Sequence, residues 1–326
     1  FMKAKIFLPA MAIIALSTSS CLHKELDFEI NDRGEVYVAF DWRNAPDANP
    51  SSMLTYFYPA KGGDALLYTF ADPSGGQISI PYDYYSGISI NGDNTDWAGM
   101  RNMDDPEQFE VFTRDAESLE AYGILSRSVP RAEGTEDERM AKTPGMIWSD
   151  RRNDIDLKDS NNADRNGTRI ITFYPEETVC HYTVDILDIK HSEYLHGAEV
   201  DATLSGMAEG YLHGKRTTTD VAVTMPFVLQ SVDEGKALTA EFLTFGECST
   251  TSRRHMLTVY VYLSDGTKWY HSYDVTDQVT SAPDPRHVHI IVRGLDLPQP
   301  IAGGSGFRPD VNDWNNININ LPMTVN

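Results

Sequence analysis

The sequence predicts an all-β protein built from two sandwich-like halves, and three observations carry that prediction. Apolar and polar residues alternate with period two in many short runs, the mark of half-buried strands. Gly-, Pro- and Asp-rich turns separate those runs at the short spacing expected of a sandwich. Strand–helix–strand repetition is missing, which disfavours a parallel α/β enzyme fold.

Element by element, EVYVAFDW places Val36, Val38, Phe40 and Trp42 on one face and Glu35, Tyr37 and Asp41 on the other. Strands are then expected at 53–59, 65–70, 77–81 and 87–92. Residues 106–125 tolerate a helix, with a short one expected near Ala116–Tyr122. From about Arg131 to Thr168 the chain turns polar and charged and reads as an excursion ending in a linker. Past it, RIITFYP leads into a strand in which Cys180, Tyr182, Val184 and Ile186 alternate. In ALTAEFLTF, Leu238, Ala240 and Phe242 share a face. The clearest hairpin puts Leu257, Val259, Val261 and Leu263 on one strand and Trp269, His271, Tyr273 and Val275 on the next. Asp265–Gly266 supplies its turn. HVHIIVRGL (287–295) and NININLPM (316–323) close the strand series.

The N-terminus has its own pattern. Lys3 and Lys5 precede an apolar run from Ile6 to Leu16, and Ser17 to Ser20 lead into Cys21. That order is a secretory signal peptide, and its apolar run falls short of the about 20 residues that span a bilayer. A cysteine at the cleavage point resembles bacterial lipoproteins processed at a lipobox, with Thr18 where a leucine is usual. The expected plan is a signal peptide at 1–20, a lipidated tether at 21–34, one β-sandwich at 35–166 and a second at 167–326. Cys21 would carry the lipid, and the membrane would be met through it. Glu25, Asp27 and Glu29 resemble surface-export signals, so an outer-membrane or cell-surface location is expected.

The formal net charge is -21, and loss of Lys3 and Lys5 takes it to -23. That field repels phosphate backbones, which argues against nucleic-acid binding. Cys180 and Cys248 would both reach an oxidising compartment, so they are one candidate disulfide pair, with two thiols as the alternative.

Several segments together resemble a family of Bacteroidales lipoproteins that carries a domain-of-unknown-function label. They are FDWRNAPDANP, GTEDERM, FYPEETVCHYTVDI, LSGMAEGYLHGK, FLTFGEC, LSDGTKWYHSYDVTDQV and PDPRHVHIIVRGL before GGSGF. That family is similar in turn to the fimbrillin superfamily of pilins and lipid-linked anchor subunits. The resemblance implies two tandem transthyretin-like β-sandwich domains and a fimbrial anchor or accessory role. A pilin-like partner would then add a strand to an open sheet edge, for which NININLPM is a candidate.

Other chemistry is weighed residue by residue. His287 and His289 share a strand face near Asp284, but Val288, Ile290 and Val292 claim the apolar face, so surface histidines are expected rather than a metal site. Asn162, Asp164, Asn166 and Gly167 imitate the start of a calcium loop, yet Phe173 stands where its glutamate belongs. NGDNTD (91–96) also clusters oxygen donors without a full pattern. GxSxG, HExxH and phosphate-loop motifs are lacking, and no cofactor, metal or catalytic residue is expected. Glu133, Glu136, Asp137, Glu176 and Glu177 would serve a glycan hydrolase only if two met across a cleft. Tyr82, Tyr84, Tyr85 and Trp97 are candidates for stacking on a glycan or host ligand, the alternative to a structural role.

Overall fold

The computed structural model describes residues 33–93, 96–158, 169–248, 253–299 and 314–316. Cys21, the signal peptide, the acidic stretch after it, the calcium-like run at 162–167 and most of NININLPM lie outside the described residues.

The first half is a pair of facing sheets. One has β1 (Arg33–Phe40) at its centre, antiparallel to β4 (Gly75–Pro81) and parallel to β10 (Arg169–Phe173). The other runs β11 (Glu176–Glu177), β9 (Trp148–Asp156), β5 (Tyr84–Asn91), β2 (Met53–Pro59), β3 (Leu66–Phe70), all antiparallel. Period-two alternation fixes what lies between them. Val36, Val38 and Phe40 of β1 meet Met53 and Phe57 of β2 in one core with Ile78, Ile80 and Phe173. The alternate residues of β2 and β5, Tyr56, Tyr58, Ile88 and Ile90, fill a second core on the other side of the same sheet. That sheet is therefore covered on both faces, which is why β2 reads as a nearly continuous apolar run.

A small third sheet helps to cover it: β6 (Ala98–Arg101), β7 (Glu110–Thr113), β14 (Gly210–Leu212) and β15 (Thr217–Thr218), in the order β15-β14-β7-β6. It draws on both halves of the sequence.

The largest sheet belongs to the second half. Its order is β20 (His287–Arg293), β12 (Cys180–Leu187), β17 (Ala237–Thr244), β16 (Ala222–Val232), β13 (Glu199–Ala208), β18 (Met256–Tyr262), β19 (Lys268–Asp274), β21 (Asn315–Asn316), with β8 (Arg139–Met140) pairing β16. It curls so that β12, β13, β16, β17, β18 and β20 all contribute to one core, closed by Val275 and Val279. The helix α1 (Thr276–Thr280) is the one α-helix among the described residues. No helix among them is long and apolar enough to cross a membrane.

The hairpin forms, with Val259 opposite His271 and Leu257 opposite Tyr273. One expectation is redrawn. Residues Ala116–Tyr122 form turns and isolated bridges instead of a helix, because the N–H groups of Ala121 and Tyr122 donate to the Asp201 carboxylate at 2.9 and 3.1 Å. The 166/167 division falls among undescribed residues. β10 and β11, beyond it in sequence, pair with β1 and β9, and the second half's own ladder starts at Cys180.

Candidate functional site

The singled-out residues that fall within the described part of the chain take the following places. Tyr85 is buried in the first core, its phenol pushed up to about 12 by burial and its hydroxyl donating to the Pro81 carbonyl at 2.8 Å. Trp97 packs beside Phe245 on the far side of the five-stranded sheet. Tyr82 and Tyr84 alone of the four are exposed. The quartet therefore does not assemble into one stacking surface: β5 alternation turns Tyr84 out and Tyr85 in.

His287 and His289 both lie on the exposed face of β20, as the alternation requires. Each is tied to a carboxylate, His287 Nδ1 to Asp284 at 2.8 Å and His289 Nε2 to Asp185 at 2.7 Å. Burial pushes the Asp185 carboxyl up, but hydrogen bonds from Thr239 and His289 outweigh it and hold the group below the ordinary carboxylate range. His181 stacks on His287 at 5.2 Å. Among the described residues no group of three or more His, Cys, Asp or Glu is arranged to hold a metal ion.

The structure draws no bond between Cys180 and Cys248. Cys180 Sγ lies over Gly246, where burial raises its thiol pKa, while Cys248 Sγ turns to the Thr219 carbonyl at 3.6 Å. Within NGDNTD, Asn91 Oδ1 accepts from Trp148 N–H at 2.9 Å and Asp93 accepts from Ser51 N–H at 3.0 Å, while Asn94 and Thr95 lie outside the described residues. Glu176 and Glu177 pair with Arg216 and His181.

Sequence reasoning missed the buried charges that join the halves. Glu138, in GTEDERM, has a side chain only 1% exposed. It accepts from Gly206 N–H at 3.0 Å and Thr224 Oγ1 at 2.8 Å. Gly206 sits at a bulge in β13 with φ +78, a conformation that suits glycine. Glu209 bridges Arg101 at 2.9 Å and Arg139 at 2.8 Å, and Arg101 forms a fork on Glu110. GTEDERM and LSGMAEG are thus two sides of one seam. Their shared signal was a run of charge beside small residues, which a single sequence does not distinguish from a solvated face.

The arrangement with the most evident capacity for interaction is the outer edge of β20. Its one strand neighbour among the described residues is β12, in parallel. The Arg286 carbonyl accepts from His181 N–H at 2.7 Å and Gly294 N–H donates to Leu187 at 2.9 Å, so even-numbered residues face β12 and odd-numbered ones face away. Gln278 of α1 reaches that open side. Its side-chain oxygen accepts from Ile291 N–H at 2.8 Å and its amide donates to the Ile291 carbonyl at 3.1 Å. One side chain thus stands in for a strand at one position, leaving the main chain of His289 and Arg293 without a strand neighbour among the described residues. Ile291 itself is 39% exposed. Chemically this edge offers peptide donors and acceptors in register, flanked by alternating exposed side chains.

Comparison with known proteins places the chain. A family described as a domain of unknown function, DUF5119, matches residues 20–228. The chain belongs to this family. No curated protein matches the DUF5119 chain. Solved structures similar to it include a candidate adhesin from Bacteroides ovatus, 20% identical, covering 82% of this chain and 94% of that one, at a TM-score of 0.59. The fimbrial anchor protein Mfa2 from Porphyromonas gingivalis is 14% identical, with 79% and 89% covered and a TM-score of 0.47. The tip fimbrial protein Mfa3 from the same organism is 10% identical, with 82% and 97% covered and a TM-score of 0.38. The first of these likenesses shows a shared fold over the matched 82% of this chain.

Proposed function

We propose that this protein is a lipid-anchored cell-surface subunit with a structural role, of the fimbrial anchor or accessory kind, and that it does no catalysis. Cys21 holds the lipid, and β20 offers its open edge to a strand from a partner subunit. The observation that carries this reading is the β20 edge, where a lone glutamine side chain occupies a position that a strand would fill. Main-chain hydrogen bonds at such an edge supply affinity, and the alternating exposed residues supply selection. The signal-peptide pattern ending in Cys21 supports the anchor. The fold shared with a candidate adhesin supports a surface role.

The anchor is tested by Cys21→Ser, which is expected to move the protein from the membrane to the soluble fraction and to remove the lipid mass. A durable tether needs more than one acyl chain, so the mass should report at least two. Unchanged fractionation and mass would reject the anchor. The structural role is tested by proximity crosslinking of the tagged protein in its native cell. Recovery of pilin-like subunits is expected, and a monomer that retains a defined glycan and meets no protein would reject the role.

A further inference from the structure

We propose that the end of the first sandwich carrying Tyr82 and Tyr84 seats on the membrane surface, its occupant being phospholipid headgroups. The proposal rests on the reading of Cys21 as the lipid-bearing residue and adds to it an orientation and a second contact.

Several segments meet at this end. β1 begins here at Arg33, opposite Pro81, and the ring of Tyr82 lies so close to Gly34 that a Cβ there would come within 2.6 Å of it. Tyr84 starts β5 opposite Asp156, at the end of β9. Lys158 follows, with Nζ 4.6 Å from the Tyr84 ring centre, and Arg169, at the start of β10, lies 5.2 Å from the Tyr82 ring. Lys61, from the β2–β3 turn, and Lys158 each sit 3.7 Å from Asp83. Asp83 is itself buried, and Asp156 turns one oxygen to Lys158 N–H at 2.9 Å. Asp64 is exposed in the same turn as Lys61.

In a chain of net charge -21, this end presents two exposed tyrosines, each with a cation over its ring, and the exposed Arg33 and Lys61. Amphipathic rings with lysine and arginine beside them are the side chains that settle at the level of headgroups.

Chain direction says what covers the surface. Cys21 is 12 residues before Arg33. Twelve residues reach at most about 43 Å even fully extended, so a lipid on Cys21 would lie within that distance of this end. β10 then runs away from this end, since Arg169 pairs with Val36 and Phe173 with Phe40. The chain enters the second half past Glu177, which pairs with Trp148 at the far end of β9. The second half, with β20, therefore leaves from the end opposite the tyrosines.

The test reads tryptophan depth. The protein is purified from its membrane fraction, the lipid on Cys21 is verified by mass, and it is reconstituted in phosphatidylethanolamine–phosphatidylglycerol vesicles with brominated acyl chains. Tyr84→Trp is expected to add emission that bromine quenches at least twofold, while Val221→Trp, in the second half, adds emission that is not quenched. Equal, unquenched emission from both variants with the lipid in place would overturn the seat. The Cys21→Ser chain separates seat from anchor. It is expected to co-float weakly with the same anionic vesicles at low salt, and the Lys61→Glu/Lys158→Glu pair to cut that at least threefold. Co-flotation indifferent to both lysines would overturn the seat, whatever Cys21 carries.

Discussion

His213 and His271 are buried imidazoles with no charged partner in hydrogen-bond reach. His213 donates to or accepts from Ser149 Oγ at 2.9 Å through Nδ1, while its Nε2 and both nitrogens of His271 have no hydrogen-bond partner among the described residues. Burial lowers their pKa values to about 3 and about 4. Both lie below the unfolded value near 6.5, so between those limits the unfolded chain binds more protons than the folded one. Their contribution is fully present above pH 6.5 and is lost as pH falls toward 4. Each should cost roughly 1 kcal/mol of stability per pH unit in that window. Urea midpoints measured from pH 7 to pH 4.5 are expected to fall, and His271→Phe to flatten the slope. A parallel pH dependence in the variant would show that His271 is not a source. The sequence placed His271 on one face of its strand with Trp269 and Tyr273. It gave no sign of Glu138, because a carboxylate among charged neighbours reads as solvated until Gly206 and Thr224 are seen to enclose it.

Among the elements, β20 has two unlike sides, and proline separates them. Ile290 N–H faces β12, whereas Ile291 N–H faces outward to Gln278. Ile290→Pro is expected to cost about 3 kcal/mol by removing a ladder bond, and Ile291→Pro about 1 kcal/mol or less. Chemical denaturation of the two variants checks this, and equal losses would contradict the edge assignment. The strands themselves were legible wherever one face is buried: β1 and β12 follow the alternation residue by residue. The stretch from Arg131 to Thr168, read as a polar excursion and linker, was not: it holds β8 and β9, the latter inside the five-stranded sheet. Asp115 to Met140 lies over the outer face of β13 and β18, with Leu119, Val129 and Met140 packed on Tyr260. Those apolar residues are too sparse for a period, and their partners are more than a hundred positions away.

At the scale of the molecule, the two halves are welded rather than strung together. The third sheet mixes β6 and β7 with β14 and β15, and the Glu138 and Glu209 contacts cross the same seam. A composition shift cannot reveal such a weld, since it suggests a linker wherever polarity rises. The tyrosine end was equally hidden, because β1, the β2–β3 turn, the β4–β5 turn, β9 and β10 each give it one or two residues. Taken together, the two proposals imply polarity, with the tyrosines and the proposed lipid at one end and a strand edge, open among the described residues, carried by the half that leaves from the other. The central claim is that a partner strand occupies that edge. It is tested most directly by placing a photo-crosslinking amino acid at His289 in the native cell and irradiating. The account predicts a crosslink to a pilin-like subunit that disappears when Ile291→Pro is added. A crosslink that survives Ile291→Pro, or none at His289 while a crosslinker on Ser79 of β4 captures the partner, would contradict it.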